Sequence, residues 1–254
     1  MDPTCPDCRG TGFRLETREG GVTVAAACGC DLRDRGERLL RSARIPRRYD
    51  HCTFEQYEVH RQSQGAHQSN RDIAQDWVDR WPMVDRGLLF IGSPGAGKTH
   101  LAVAMARELA LRKGARVLFY EQRELLKALQ GTFDAGSGRN ESDVLGPVLE
   151  AEVLVLDDLG AGRVTEWGRD VLHDVLTARY NASTNEPGPD NRPLIMTTNR
   201  PAHGDGGESQ TRLSLEDCLG QALMSRVYEM CHIVHAADFD YRRNVLHAEH
   251  HVRR

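Results

Sequence analysis

The sequence predicts an α/β fold, in which a parallel β-sheet carries helices on both faces and follows a small zinc-ribbon-like segment. Three observations support this prediction. Short apolar runs that suit buried parallel strands recur along the chain, with helical patterns between them. One run continues into a glycine-rich loop, and another ends in two adjacent carboxylates. Four cysteines form two pairs near the N-terminus, so we divide the chain into residues 1–48 and residues 49–254.

Composition excludes several classes of protein. The chain has 254 residues, 39% hydrophobic and 28% charged, which suffices for one large domain with a small appendage. Its formal net charge of −4 provides no overall basic field, so any surface for nucleic acid must be local. No apolar run of about 18 residues occurs, and the chain opens without a secretory pattern. We therefore expect a cytoplasmic protein with no membrane partner.

Two cysteine pairs, Cys5 with Cys8 and Cys28 with Cys30, predict a zinc site. The chain has seven cysteines, an odd number that disulfides explain poorly, whereas two thiolate pairs around a short β-hairpin suit one tetrahedral ion. The second pair is one residue tighter than usual, so a reduced, metal-free loop is the alternative. Because little apolar material lies between the pairs, we expect the metal to provide most of the stability of this segment.

An arginine-rich stretch joins the two parts. Residues 31–48 hold seven arginines against three acidic residues, and Pro46 is expected to stop a helix there. A narrow apolar stripe is predicted on this helix from Leu32, Leu39, Leu40 and Ala43. Two interpretations remain, a solvated charged helix and a docking helix for a partner protein or a nucleic-acid backbone. We place the domain boundary at residue 48.

A phosphate-binding loop is the most specific motif. Residues 88–91 predict a strand, the pattern G-x-x-x-x-G-K-T follows, and residues 101–111 predict a helix. The glycines of such a loop let backbone N–H groups turn towards phosphate at a helix N-terminus; a decayed loop is the alternative. We expect Lys98 to reach the β and γ phosphates of ATP and Thr99 to bind Mg²⁺. The predicted ATP-binding residues are Gly92, Ser93, Pro94, Gly95, Ala96, Gly97, Lys98, Thr99 and His100.

Two later strands end in polar side chains. Residues 153–156 lead to Asp157 and Asp158, a Walker B arrangement that predicts Asp157 as a second Mg²⁺ ligand and Asp158 beside the attacking water. The alternative is that both acids merely end a strand. Residues 194–196 lead to Asn199, which can orient the same water, although asparagines after strands are also common turn formers.

Other elements are less specific. Residues 116–120 predict a strand, residues 124–129 a helix, and residues 55–82 a helix packed on the large domain. Residues 181–193 and 201–212, rich in Gly, Pro, Asn and Ser, predict loops.

Phosphate loop, double acid and strand-end asparagine have the order and spacing of an AAA+ ATPase, and the chain resembles the DnaC/DnaI-type bacterial replicative helicase loaders. The shared phrases are CPDCRGTG, IPRRYDHCTFEQY, GSPGAGKTHLA, VLEAEVLVLDDLG, IMTTNR, SLEDCLGQALMSRVYEM and DFDYRRN. The resemblance covers nearly the whole chain. It implies an AAA+ P-loop fold without a helical lid domain.

The resemblance also implies roles that the sequence alone leaves open. It makes Arg226 the arginine finger that reaches a neighbouring subunit's ATP, and Arg242 the sensor 2 residue; otherwise a surface or salt-bridge role is the default for each. The family's single-stranded DNA contacts fall on Lys127 and Phe133, whereas a nearby family lysine falls on Gln130. Phe133 as a local hydrophobic anchor is the alternative to base stacking. The predicted catalytic residues are Lys98, Asp157, Asp158, Asn199, Arg226 and Arg242.

Two residues depart from the family pattern. Asp158 stands where most AAA+ proteins have glutamate, which leaves its carboxylate one methylene, about 1.5 Å, further from the water. We therefore expect slow hydrolysis. Ala222 stands where related loaders often carry an additional arginine.

The resemblance implies a helicase loader for DNA replication that hydrolyses ATP slowly at subunit contacts. Its partners would be the replicative DNA helicase, gripped by the zinc-bearing segment, single-stranded DNA and further copies of itself; its cofactors would be ATP, Mg²⁺ and Zn²⁺. The alternative is an IstB-type transposition helper ATPase that binds duplex DNA and a transposase, and the cysteine-bearing start argues against it. A non-enzymatic adaptor that binds ATP and hardly hydrolyses it is a third interpretation.

Overall fold

A computed structural model gives the architecture of the chain. It describes residues 5–9, 11–17, 21, 23–59, 64–133, 138, 140–162, 165–183, 186–203, 213–236 and 239–244. The strands are β1 (Phe13–Thr17), β2 (Thr23–Ala27), β3 (Gly87–Ile91), β4 (Val117–Glu121), β5 (Val153–Asp157), β6 (Leu194–Thr198) and β7 (Cys231–His235). The helices are α1 (Gly29–Ser42), α2 (Gln64–Arg80), α3 (Lys98–Leu111), α4 (Gln122–Gln130), α5 (Glu141–Glu150), α6 (Glu166–Ala182), α7 (Leu215–Leu219), α8 (Gln221–Met230) and α9 (Tyr241–Asn244).

Five parallel strands form the central sheet in the order β4-β5-β6-β3-β7. Because successive side chains of a strand face opposite sides, Phe90 joins the apolar core with α2 and α3, whereas Leu89 joins the core with α4 to α8. Both faces are thus covered, which explains why the strands read as continuous apolar runs. The predicted α/β fold, with helices on both faces of a parallel sheet, is confirmed.

Two predicted elements differ from the structure only at their ends. The strand expected at residues 116–120 lies one residue later, as β4, and the helix expected at residues 124–129 extends by one to two residues at each end, as α4. Helix ends commonly vary by one or two residues, because the terminal turns lack some of their backbone bonds. The helix predicted over residues 55–82 was wrong at its start: residues 55–59 are not helical, and α2 runs from Gln64 to Arg80 and buries Trp77 in the core that it shares with α3.

The arginine-rich helix α1 ends at Ser42, so the prediction that Pro46 stops it was wrong. Arg44 adopts a φ of +61°, which turns the chain out of the helix. The Ala43 carbonyl accepts a hydrogen bond of 2.8 Å from the Phe119 N–H of edge strand β4. The chain therefore leaves the helix where it meets the sheet.

Helix α1 packs on the large domain through two small residues, of which Ala43 belongs to the predicted apolar stripe and Gly36 does not. Leu32 is 53% exposed, whereas Gly36 and Ala43 are buried. A β-carbon on Gly36 would lie 2.8 Å from the carbonyl oxygen of Leu111, so α1 crosses α3 at backbone distance. Such a close approach requires a glycine. The domain boundary at residue 48 stays a prediction, with α1 packed on the domain that follows it.

Before α1, β1 and β2 form a separate antiparallel hairpin, in which Phe13 pairs with Ala27 and Thr17 with Thr23. In the part of the chain that the structure describes, no helix is both long and apolar enough to cross a membrane.

Candidate nucleotide site

The phosphate loop connects the carboxyl end of β3 to the first turn of α3. Gly95 and Gly97 have φ angles of +81° and +80°, which glycine adopts without strain. A β-carbon on Gly97 would lie 2.6 Å from Cε2 of Tyr57, and one on Gly95 would overlap the Asp240 side chain. Backbone geometry and crowding therefore both require glycine at these positions.

Lys98 is buried in the centre of the loop. Its ammonium group donates hydrogen bonds to the carbonyls of Gly92 and Ser93, each at 2.8 Å, and to Oδ1 of Asn199 at 2.7 Å. Burial lowers the pKa of Lys98 to about 8, although the carboxylates of Asp157 and Asp158 oppose the shift. The N–H donors of the ammonium group are thus bonded to loop carbonyls and to Asn199. When a nucleotide binds, its phosphate oxygens would accept from these same donors.

We expect nucleotide binding to weaken as the pH rises above about 8. Phosphate oxygens favour the charged lysine, so its pKa rises on binding and the complex takes up a proton at high pH. Affinity should be constant below the pKa of the free loop and fall by up to about tenfold per pH unit above it. Calorimetry with a non-hydrolysable ATP analogue, in two buffers of different ionisation enthalpy at pH about 8.5, measures this uptake. Equal heats in both buffers would contradict the prediction.

Thr99 and Asp157 form the predicted Mg²⁺ pair. Thr99 Oγ1 donates to Oδ1 of Asp157 at 2.8 Å, and Thr197 Oγ1 donates to the same oxygen at 2.6 Å. Burial raises the pKa of Asp157, whereas the two hydroxyl donors lower it. A hydroxyl and a carboxylate at this separation are the hard oxygen donors that Mg²⁺ takes, so these residues fit the ion.

Asp158 and Asn199 are held together beside this pair. Asn199 Nδ2 donates to Oδ1 of Asp158 at 2.6 Å, while Oδ1 of the same amide accepts from Lys98. Asn199 therefore connects the lysine to the second acid. Asp158 has a φ of +57°, a left-handed conformation in which aspartate is enriched among non-glycine residues. A cleft beside them is lined by Pro94, Arg123, Asp158, Asn199 and Arg200.

The two predicted arginines lie in different places. Arg242 belongs to α9, which contacts the phosphate loop through a 3.1 Å hydrogen bond from the Tyr241 N–H to the Gly95 carbonyl. Its charge contributes to the lowered pKa of Lys98, so it lies within electrostatic reach of the loop. Arg226 lies on α8, where it donates to Thr177 Oγ1 at 2.5 Å.

The four predicted zinc ligands come together. Each thiol of the first pair lies against a thiol of the second pair. The Sγ atoms are 3.7 Å apart between Cys5 and Cys28 and 3.4 Å apart between Cys8 and Cys30. All four sulfurs lie within 4.8 Å of one another. Sulfurs bound to one tetrahedral zinc are about 3.8 Å apart, given a Zn–S distance of about 2.3 Å. The cluster therefore fits a zinc ion.

The predicted DNA contacts lie near each other on the surface. Lys127 is exposed on α4 and pairs with Glu124 at 2.9 Å. Phe133 is 63% exposed, and its ring meets that of Trp167 edge-on at a centroid distance of 6.0 Å. A groove beside them is lined in part by Arg123, Lys127, Gln130 and Trp167.

Sequence reasoning missed several residues of the site. Tyr57 and Asp240 border the phosphate loop but lie far from it in sequence. Both belong to phrases shared with the family, IPRRYDHCTFEQY and DFDYRRN, but these phrases do not indicate contact with the loop. Arg123 could have been found, because it precedes Lys127 by four residues and thus shares its helix face. Trp167 is the second residue of α6, and its position in the sequence gives no sign that it lies beside Phe133.

The parallel sheet, the phosphate loop after β3 and the paired acids at the carboxyl end of β5 define a P-loop nucleotide-binding protein of the AAA+ class. Residues 30–248 match the family described as IstB-like ATP binding protein, and the chain belongs to this family. The predicted AAA+ fold and family resemblance are confirmed. The roles of individual site residues stay predictions.

Known relatives agree with this assignment. The replicative helicase loader DnaC of Escherichia coli (strain K12) is 27% identical over 212 residues, which cover 84% of this chain and 77% of that protein. A crystal structure of the DnaC helicase loader is 32% identical, with a TM-score of 0.58, and covers 75% of this chain and 99% of its own. A crystal structure of DnaI, 23% identical with a TM-score of 0.58, covers 82% of this chain and 100% of its own, and supports the fold alone.

Proposed function

We propose that the protein is an ATP-dependent helicase loader in DNA replication, which binds ATP with Mg²⁺, single-stranded DNA and the replicative DNA helicase. The observation that carries this proposal is a connected nucleotide site, from Lys98 through Asn199 to Asp158, in a chain related to DnaC over most of its length. The state of the nucleotide would then control delivery and release of the helicase.

The chemistry is phosphoryl transfer from ATP to water. Lys98 would exchange its bonds to the loop carbonyls for bonds to phosphate oxygens, and Thr99 and Asp157 would hold Mg²⁺, which supplies positive charge for the phosphates when it is bound. Asp158 orients the attacking water and accepts its proton, while Asn199 fixes the carboxylate of Asp158. Arg226 would complete the site of a neighbouring subunit, so hydrolysis would take place at subunit contacts.

Asp158 supports slow hydrolysis, and Asp158→Glu is expected to hold or raise the turnover rate. Glutamate brings the carboxylate about 1.5 Å closer to the water, which improves the geometry of proton transfer. Asp158→Asn keeps the size of the side chain and its tolerance of a left-handed backbone but cannot accept the proton, so its rate should fall by about 10²–10⁴-fold. Phosphate release under saturating ATP measures both. A total loss of turnover in Asp158→Glu would assign Asp158 another role.

The groove beside α4 supports binding of single-stranded DNA. Exposed Lys127 and Arg123 provide positive charge, and the Phe133 and Trp167 rings provide surfaces on which bases stack, which contributes about 1–3 kcal/mol per base. Stacking tolerates any base, so binding would depend little on sequence. Residues 134–137 and 139 of the same segment lie outside the described residues.

We call the hairpin of β1 and β2, together with its four cysteines, the cysteine hairpin. An exposed apolar face on this hairpin supports docking of the helicase. Leu15 is 78% exposed and Phe13 is 58% exposed. Their partners across the hairpin are Ala25 and Ala27, so these four apolar side chains share one face of the hairpin. A contiguous exposed apolar patch is typical of an interaction surface. We propose that this face binds the helicase.

The experiment is native mass spectrometry of the full chain with its host's hexameric replicative helicase, ATP and Mg²⁺. We expect a discrete complex that is lost in the double variant Phe13→Ser, Leu15→Ser. The matched control is Met83→Ser, because Met83 is 58% exposed but lies between α2 and β3. Point variants are preferable to a truncation before residue 49, which would also remove the contact of α1 with α3.

An IstB-type transposition helper is the second candidate, and the family match supports it directly. It would bind duplex DNA and a transposase through the same ATPase domain. The cysteine hairpin with its apolar face supports the loader instead. If no helicase complex forms although ATP is bound, the loader proposal fails and a transposase becomes the partner to test.

A further inference from the structure

A second group of metal-ligating side chains lies beside the phosphate loop, separate from the cysteine hairpin. His51 and Cys52 lie between α1 and α2, and His100 lies in the first turn of α3, directly after Thr99. One ligand atom from each of the three lies within 4.8 Å of the others. The Sγ of Cys52 is 3.7 Å from Nε2 of His51.

The separation of these two atoms suits a shared ion. A zinc ion binds cysteine sulfur at about 2.3 Å and histidine nitrogen at about 2.0 Å, which leaves the two ligand atoms about 3.5 Å apart in a tetrahedral site. Cys52 is buried, His100 is half-buried and His51 is exposed, so the group opens to solvent on one side. An ion can therefore enter from the side of His51.

The surroundings of His100 are those of a metal-ligating histidine. Its Nε2 lies 2.7 Å from the carbonyl oxygen of Thr53, to which it donates a hydrogen bond in the neutral ring. The other nitrogen, Nδ1, then carries the lone pair that a metal takes. A ligating histidine usually donates its second N–H to a carbonyl or carboxylate, which fixes both tautomer and ring orientation. The Tyr57 ring packs edge-on against the imidazole at a centroid distance of 5.4 Å and restricts it further.

We propose that His51, Cys52 and His100 form a second zinc-binding site. One thiolate and two imidazoles supply three ligands, a set typical of zinc, and leave the fourth position to water. The ion would join the segment between α1 and α2 to the first turn of α3, and hence to the phosphate loop. This site goes beyond the proposed loader function and does not depend on it.

The test is metal stoichiometry of the full chain. Protein stripped by a chelator under reducing conditions is titrated with Zn²⁺ against a chromophoric competitor, and with Co²⁺ to record the charge-transfer bands of its thiolate ligands. We expect His51→Asn and Cys52→Ser each to bind one metal equivalent fewer than the unmodified chain. At the lost site, affinity should fall by more than about 100-fold, because even an outer partner of a ligand contributes about 10–100-fold.

Two variants make the result specific. Cys218→Ser also removes a buried thiol, from α7, and should keep the full number of equivalents. The double variant Cys5→Ser, Cys8→Ser should keep the equivalent that His51→Asn loses. His51 is exposed, so its replacement leaves the fold intact and a result is obtained even if Cys52→Ser fails to fold. Equal stoichiometry and affinity in His51→Asn and the unmodified chain would overturn the proposal.

Discussion

Replacing Arg226 by alanine is expected to abolish ATP turnover while ATP binding stays intact. Within its own chain Arg226 contacts Thr177 and Tyr180 of α6, and the family resemblance implies that it reaches the ATP of a neighbouring subunit. An arginine finger contributes about 10³–10⁵-fold to the rate constant, since it neutralises charge in the transition state. Steady-state turnover and the Kd for an ATP analogue, measured on the same preparation, separate the two effects.

Three comparisons distinguish a catalytic role of Arg226 from a structural one. Thr177→Ala removes the hydrogen bond to Arg226 and leaves the guanidinium in place, so turnover should survive; a loss equal to that of Arg226→Ala would mean that the arginine only holds α8 on α6. Arg169→Ala, an exposed arginine of α6, serves as the control for loss of charge. Mixing Arg226→Ala with Asp157→Asn should restore part of the activity, because each subunit supplies what the other lacks. Unchanged turnover in Arg226→Ala would remove it from the site.

Removing zinc is expected to unfold the cysteine hairpin while the central sheet stays intact. The hairpin's buried cluster in the described residues is the four sulfurs, so little else replaces the binding free energy of the metal, which is about 10–16 kcal/mol in small zinc modules. Hydrogen exchange after chelation should show loss of protection in β1 and β2, and also at the Cys28 N–H that follows β2 and donates to the Gly12 carbonyl at 2.7 Å. Amides of β3 and β5 report on the sheet in the same experiment.

The matched control for chelation is the double variant Cys5→Ser, Cys8→Ser, in which two ligands are absent from the start. Its hairpin should exchange fast with or without a chelator. Protection of β1 and β2 that survives complete removal of zinc would mean that the hairpin is held by other contacts, and the zinc prediction for this segment would be wrong.

Local sequence determined the elements of the nucleotide site. The pattern around Gly97 and Lys98 predicts a phosphate loop. Glycine adopts the positive φ angles of such a loop without strain, and the lysine of this motif binds phosphate. The apolar runs before Asp157 and Asn199 announce buried strands, and the carboxyl ends of parallel strands meet at one edge of a sheet. The position of these side chains near one another was therefore predictable.

The contacts that these side chains make with one another could not be predicted from the sequence. Asn199 bridges Lys98 and Asp158 only because β6 lies between β3 and β5, and strand order is a property of the whole sheet. Likewise, the hydrophobic pattern of α1 predicted an apolar stripe that leaves out Gly36, whereas α1 meets α3 at Gly36, since how closely two helices approach depends on the partner's surface.

Periodicity, glycines and charged motifs report on a residue's own neighbours in the chain, so the sequence by itself determined the sheet class, the phosphate loop and the cysteine hairpin. Which distant segments pack together depends on the sum of many weak contacts across the core. Only the tertiary structure could therefore decide that Tyr57 borders Gly97, that Arg123 faces Trp167, and that His51 and Cys52 meet His100.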